Sequence, residues 1–218
     1  MTLAWEDYAN YGTVSSRIDV GSTTGVVYDS HAVNGWSADV SSSAAYPGIY
    51  QESVIQGNNI YSFAELNSAL YSGNEQLHSQ GTAQRNGYFI VTGSGTVTFA
   101  IDYALDSFIQ DTGPDVSSAL ARVGLSLNDL TNGSGLDAYN RAEVNIYTQS
   151  LLGESLSNAD AGTISVSFDF ADGDRGSFIA QATTALMYRP PARPVPEPSM
   201  LSLLGCALAG LVFLKRRA

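Results

Sequence analysis

The sequence predicts an all-β protein, an antiparallel β-sandwich of jelly-roll type, with a single transmembrane helix at its C-terminus. Three observations carry that prediction. Apolar residues alternate with polar ones in several segments, the stretches between them are rich in Gly, Ser and Asp, and one charge-free run near the C-terminus follows a cluster of prolines.

Taken in chain order, residues 1–12 (MTLAWEDYANYG) have neither a basic start nor an apolar run. No signal peptide is visible there, so the true start is expected upstream. Phe63–Tyr71 is the one helix candidate: Ser62 and Glu65 form an S-x-x-E capping box, and Phe63, Leu66 and Leu70 share a helical face. Its expected role is to cover an open end or a sheet edge. Tyr88–Val91 and Glu143–Leu151 read as weaker strands. Thr96–Tyr103 places Val97, Phe99, Ile101 and Tyr103 on one face, and Thr163–Phe170 does the same with Ile164, Val166, Phe168 and Phe170. Ala121, Val123, Leu125 and Leu127 alternate likewise, as do Phe178, Ala180, Ala182, Thr184 and Leu186. Gly93–Ser94–Gly95 and Ala171–Gly176 are turn sequences, so each is expected to close a hairpin between its flanking strands.

The body, residues 1–188, ends where composition changes abruptly. Residues 189–199 hold five prolines, which exclude helix and central strand and predict an extended spacer. Met200–Leu214 follows, fifteen residues without a charge, and then the basic tail 215–218 with Lys215, Arg216 and Arg217. As a helix this run spans roughly 22 Å, short of a ~30 Å hydrocarbon core, which makes it a weak permanent anchor. The three cations read as a membrane stop kept on the cytoplasmic side, which places the body on the far side of the membrane.

Charge narrows the partners. The body holds five arginines, no lysine and 20 acidic residues, a net charge of −15. Such a surface repels phosphate backbones and anionic headgroups, so nucleic acid is excluded. The abundant Ser, Thr and Asn predict a solvated surface of hydroxyls and amides. The single cysteine, Cys206, lies in the apolar run and leaves no intramolecular disulfide, so the core must supply the stability.

The supply of catalytic groups is thin. His31 and His78 are the only imidazoles, neither sits in an H-E-x-x-H pair, and no G-x-S-x-G elbow occurs. No enzyme activity is expected, and no catalytic residue is assigned. For a metal, Asp169, Asp172 and Asp174 cluster in FDFADGDRG, where carboxylates and turn carbonyls could supply the oxygen ligands calcium prefers. The competing reading is a polar turn with Gly173 at positive φ and Arg175 offsetting the charge. Trp5, Tyr8, Tyr11, Trp36, Tyr46, Tyr50, Tyr61 and Tyr71 make the N-terminal third aromatic, which suits core packing or a sugar-binding face.

Val195, Pro196, Glu197 and Pro198, the apolar run and the three cations, in that order, resemble a PEP-CTERM protein-sorting signal over about residues 195–218. The resemblance implies a bacterial protein exported across the inner membrane and recognised at Val195–Pro198 by an exosortase, a membrane-embedded cysteine transpeptidase. The tail would hold the protein at the inner membrane transiently, and the mature body would go to the cell surface or an exopolysaccharide matrix. Two functions are then expected to compete: a non-enzymatic surface or matrix protein, and a carbohydrate-binding module or glycan-active hydrolase delivered by the same tail.

Overall fold

The computed structural model describes residues 1–6, 10–21, 25–35, 38–71, 73–110, 116–131, 139–151 and 154–191. The spacer beyond Pro191, the apolar run and the basic tail lie outside the described residues, as do Tyr8 and Trp36. Among the described residues no helix is long and apolar enough to cross a membrane.

The described residues of the body form twelve strands: β1 (Thr2–Trp5), β2 (Tyr11–Val20), β3 (Gly25–Asn34), β4 (Val40–Tyr46), β5 (Ile49–Gln56), β6 (Asn59–Leu66), β7 (Leu77–Thr92), β8 (Gly95–Gln110), β9 (Val116–Asp129), β10 (Tyr139–Ser150), β11 (Ser155–Phe170) and β12 (Arg175–Arg189). All pairings are antiparallel. One large sheet runs β10-β9-β12-β7-β2-β3, with β1 on the far end of β7. Two small sheets, β4-β5-β6 and β8-β11, face it side by side.

Three apolar clusters bond the layers, the smallest being Val14, Ile55 and Ala83. Val97, Ile164, Val166 and Phe170 from β8 and β11 pack on Phe89, Val123, Leu125, Leu127 and Phe178 of the large sheet. Phe99 stacks on Phe178 at 4.9 Å, and Trp5 meets Phe89 and Phe178 edge-on. Under the other small sheet, Ala44 and Ile49 pack on Ile18, Val20, Leu77, Leu186 and Tyr188. Between the clusters runs a polar seam. Gln51 is fully buried and donates to Phe63 O at 2.7 Å and to Thr184 Oγ1 at 3.0 Å, while Ser62 Oγ lies 2.7 Å from Thr184 Oγ1. Ser53 donates to Ser15 O, and Ser16 pairs with Ser42. Part of the hydroxyl content expected on the surface is therefore interlayer glue. A Cβ at Gly81 would collide with the Gln51 amide and stand 2.6 Å from Ser53 Oγ, so only glycine lets β5 approach β7 this closely.

The expected strands all form, and longer than expected, but three local expectations need correction. Residues 63–66 belong to strand β6, and Ser68–Leu70 is a single 3-10 turn. The reason is a period of two: Ile60, Ser62, Ala64 and Leu66 are half-buried beneath exposed Tyr61, Phe63 and Glu65, and Ser62 bonds Thr184 where a cap was expected. Neither expected hairpin exists. β7 pairs with β12, β2 and β1, and β8 pairs with β11, so Gly93–Ser94 and Ala171–Asp174 carry the chain from one layer to the other. Long strands explain this, because both layers bury an apolar face and a turn between layers lets each strand pair within its own.

Candidate functional site

The two small sheets do not join. Among the described residues β6 pairs only with β5 and β8 only with β11, so the other edges of these two strands face each other across a groove. The floor is β9 and β12. At its narrow end, of about 350 Å³, the groove is lined by Ile60–Ser62, Ile101–Asp106, Ala121–Val123 and Ala180–Thr184. It widens to about 720 Å³ along Ser62–Ala69, Asp106–Ile109, Ser117–Ala121 and Thr184–Leu186.

Alternation along the walls decides what the rim presents. Exposed Tyr61, Phe63 and Glu65 stand on the β6 side, and exposed Asp102, Asp106 and Phe108 on the β8 side. Glu65, Asp102 and Asp106 form no ion pair among the described residues, while Arg17, Arg122, Arg141 and Arg175 are taken by Asp19, Glu143 and Glu6. The rim is therefore electronegative and aromatic. Asp102 accepts from Thr163 Oγ1 at 2.6 Å, and Tyr103 donates to Asp160 Oδ2 at 3.0 Å. That hydrogen bond, helped by burial and by the carboxylate charge, raises the Tyr103 pKa above the ordinary tyrosine value.

Arg85 closes the narrow end from below. It is 4% exposed and donates to three backbone carbonyls: Gly35 at 2.7 Å, Gly57 at 2.8 Å and Ala38 at 3.2 Å. Burial lowers its pKa and Asp39 opposes the shift. A cation so placed ties the loop after β3 and the β5–β6 turn to the centre of β7.

The residues singled out in the sequence fall as follows. Asp169 accepts from Thr96 Oγ1 at 2.5 Å, Asp172 from the Gly93 N–H at 2.6 Å, and Asp174 from the Ala171 N–H at 2.6 Å. Each carboxylate has its own donor, Asp169 across the β8–β11 pair and Asp172 and Asp174 in the two interlayer turns, and Gly173 adopts the expected positive φ of 84°. Among the described residues no three His, Cys, Asp or Glu side chains gather as a metal-ligand set. His31 and His78 sit on strands β3 and β7 beside Asp29 and Asp19. Of the described aromatics in that set, Trp5, Tyr46 and Tyr71 make ring contacts, and Tyr61 reaches the groove rim. Sequence reasoning missed the groove itself. The signal was present in the strict alternation of Asn59–Leu66, which the capping-box pattern obscured.

An all-β body joined by a proline-rich stretch to a short apolar run and terminal cations has the layout of an exported protein that is handled at a membrane by its tail. The family model of the PEP-CTERM protein-sorting motif matches residues 194–217, so the chain carries that sorting motif at its C-terminus. The motif implies an exported protein sorted through its C-terminal signal and processed by an exosortase. No curated protein matches the chain.

Proposed function

We propose that the protein is a non-enzymatic component of the cell surface or of an exopolysaccharide matrix, delivered as a β-sandwich body by an exosortase acting at Val195–Pro198. The match of the sorting motif to residues 194–217 carries this reading. The body supports it with a lysine-free, acidic, hydroxyl-rich surface suited to neutral partners. The nested pairing of β7 with β12, β8 with β11 and β9 with β10 supports the jelly-roll form of that body. In the membrane, Met200–Leu214 acts as a short transient helix and Lys215–Arg217 as its stop. The test is a Glu197→Ala, Pro198→Ala double variant in the native host. It should accumulate uncleaved in the inner membrane while the unaltered protein reaches the surface; equal release of both overturns the reading.

A second reading, a carbohydrate-binding module, is favoured by the exposed rings Tyr61, Phe63 and Phe108 beside rim carboxylates. Binding to purified exopolysaccharide that is lost in a Tyr61→Ala, Phe63→Ala variant would select it, and binding unaffected by those changes would reject the rim as the site.

A further inference from the structure

The large sheet ends in two edge strands that match each other. Along β10-β9-β12-β7-β2-β3 every neighbour is antiparallel, so over six strands β3 comes to run against β10. The edges are also level. Followed from partner to partner, one row leads from Tyr147 through Leu120, Ala185, Gln80 and Arg17 to Tyr28, and the other rows join all ten residues of β3 to residues 141–150 of β10 without stagger. Both outer registers are continuous, so no bulge turns an edge away, and neither strand holds a proline or a lysine. Those are the usual guards of an exposed edge. Among the described residues no other strand pairs with the outer side of β3 or β10.

The outward backbone groups of the two edges fall in the same rows. Along an antiparallel strand, successive residues turn their N–H and C=O groups to alternate neighbours. Bonds just past the strand ends fix which residues turn which way: Gly35 N–H donates to Asn10 O and Gly21 N–H to Gln76 O at 2.8 Å, Val91 N–H to Asp174 O at 2.8 Å and Leu130 N–H to Arg175 O at 2.7 Å. Carried across the sheet, this alternation turns outward the groups of the even-numbered residues of β3 and of the odd-numbered residues 141–149 of β10. Val26 shares its row with Gln149, Tyr28 with Tyr147, and Asn34 with Arg141. Each edge therefore offers donors and acceptors at the heights where the other needs them.

We propose that β3 of one copy pairs with β10 of a second copy, so that the protein assembles edge to edge into one continuous antiparallel sheet. A copy displaced by six strand spacings, about 29 Å, brings its β10 against β3 in register, over roughly 34 Å of edge. Five rows then close with two backbone bonds each, about ten in all. The side chains agree with that register. The most exposed ring of each edge, Tyr28 at 61% and Tyr147 at 53%, become cross-strand neighbours. Arg141 meets Asn34, Glu143 meets Ala32, and no row opposes like charges. Asp29, opposite Ile146, already accepts from the Ser43 N–H at 3.0 Å. β4 lies over β2 and β3 and β11 over β9 and β10, so the second layer ends above the edge strands. Two-fold pairing of like edges leaves the other edge of each copy bare. The head-to-tail step covers both and does not close, which makes the product a filament. It concerns the body alone and does not depend on how the tail is sorted.

Disulfide trapping between full chains tests it, in detergent, with Cys206→Ser throughout and at about 0.15 M salt, where the acidic bodies are screened beyond ~8 Å. A mixture of Tyr28→Cys chains with Tyr147→Cys chains should form mixed dimers about tenfold faster than Tyr28→Cys with Arg141→Cys. The first pair stands ~5.5 Å apart between Cα atoms and suits a disulfide, whereas the second is six residues out of register, roughly 20 Å away. The Tyr28→Cys, Tyr147→Cys double variant should give a ladder of covalent oligomers. Equal rates in the two mixtures mean chance encounter in the micelle and overturn the proposal. Faster bonding of either single variant with itself means a two-fold dimer and overturns it too. So does no bond, with Thr98→Cys and Ser167→Cys, cross-strand neighbours in β8 and β11, bonding within one chain to report a folded body. Without any cysteine, the Cys206→Ser chain should gain mass with concentration in light scattering, and Ser30→Pro, which removes one outward N–H, should stay at one chain. A mass that never changes with concentration contradicts the proposal.

Discussion

At the scale of single residues, buried polar groups determine how far the layers can be rearranged. Arg85 holds three backbone carbonyls from two separate segments, so removing it costs those hydrogen bonds and the tie between the segments. Arg85→Ala should lower unfolding free energy by about 3 kcal/mol in chemical denaturation, and Arg85→Lys by less, because one ammonium can reach only part of the set. An unchanged midpoint would show that those carbonyls find water on their own. Tyr103 provides a pH test. Its raised pKa means that the fold favours the neutral phenol, so the Asp160 contact contributes in full below the unfolded value of about 10 and is lost as pH rises through the folded value. Tyr11, Tyr50 and Tyr71 shift the same way, chiefly through burial. Stability should therefore fall above about pH 10, and ultraviolet titration should show late-ionising tyrosines, fewer in Tyr103→Phe. A titration in which all tyrosines ionise together at the unfolded value contradicts this.

The elements show which sequence signals survive folding. Strands from Tyr88 onward were legible because nearly all their inward residues in the segments read are apolar, as in Val97–Phe99–Ile101, with Thr184 a polar member. β2, β4 and β5 were hidden because their inward positions include Ser16, Ser42, Gln51 and Ser53, polar residues that bond across the layers, Ser16 with Ser42, Gln51 with Thr184 and Ser53 with Ser15 O. Pairing was not legible at all. A Gly-Ser-Gly turn looks the same whether it joins two strands of one sheet or two layers, and only the partner strands far along the chain decide. The same topology explains the aspartates of Ala171–Gly176. Gly93 and Gly173, both at positive φ, let the two layer-crossing turns lie against each other, with the Gly93 N–H on Asp172 and the Gly173 N–H on Val91 O at 2.9 Å. Asp172→Ala should cost about 1 kcal/mol through that lost bond. Millimolar calcium should leave the thermal midpoint where it is, since each carboxylate already serves a donor; a rise of several degrees would restore the metal reading.

For the whole molecule, the sequence signals divide cleanly between body and tail. The body is read from alternation and needed the structure to reveal its groove, whereas the tail is read from composition and order alone: prolines, Pro196–Glu197–Pro198, an uncharged run and three cations. That order is what makes the protein an exported, tail-sorted one. The direct test of this account is the mass of the C-terminal peptide of the mature protein from its native host. A peptide that ends within Val195–Ser199, with residues 200–218 missing, is the predicted result. Recovery of an intact Lys215–Ala218 end from membranes would mean a permanent tether and would contradict the account.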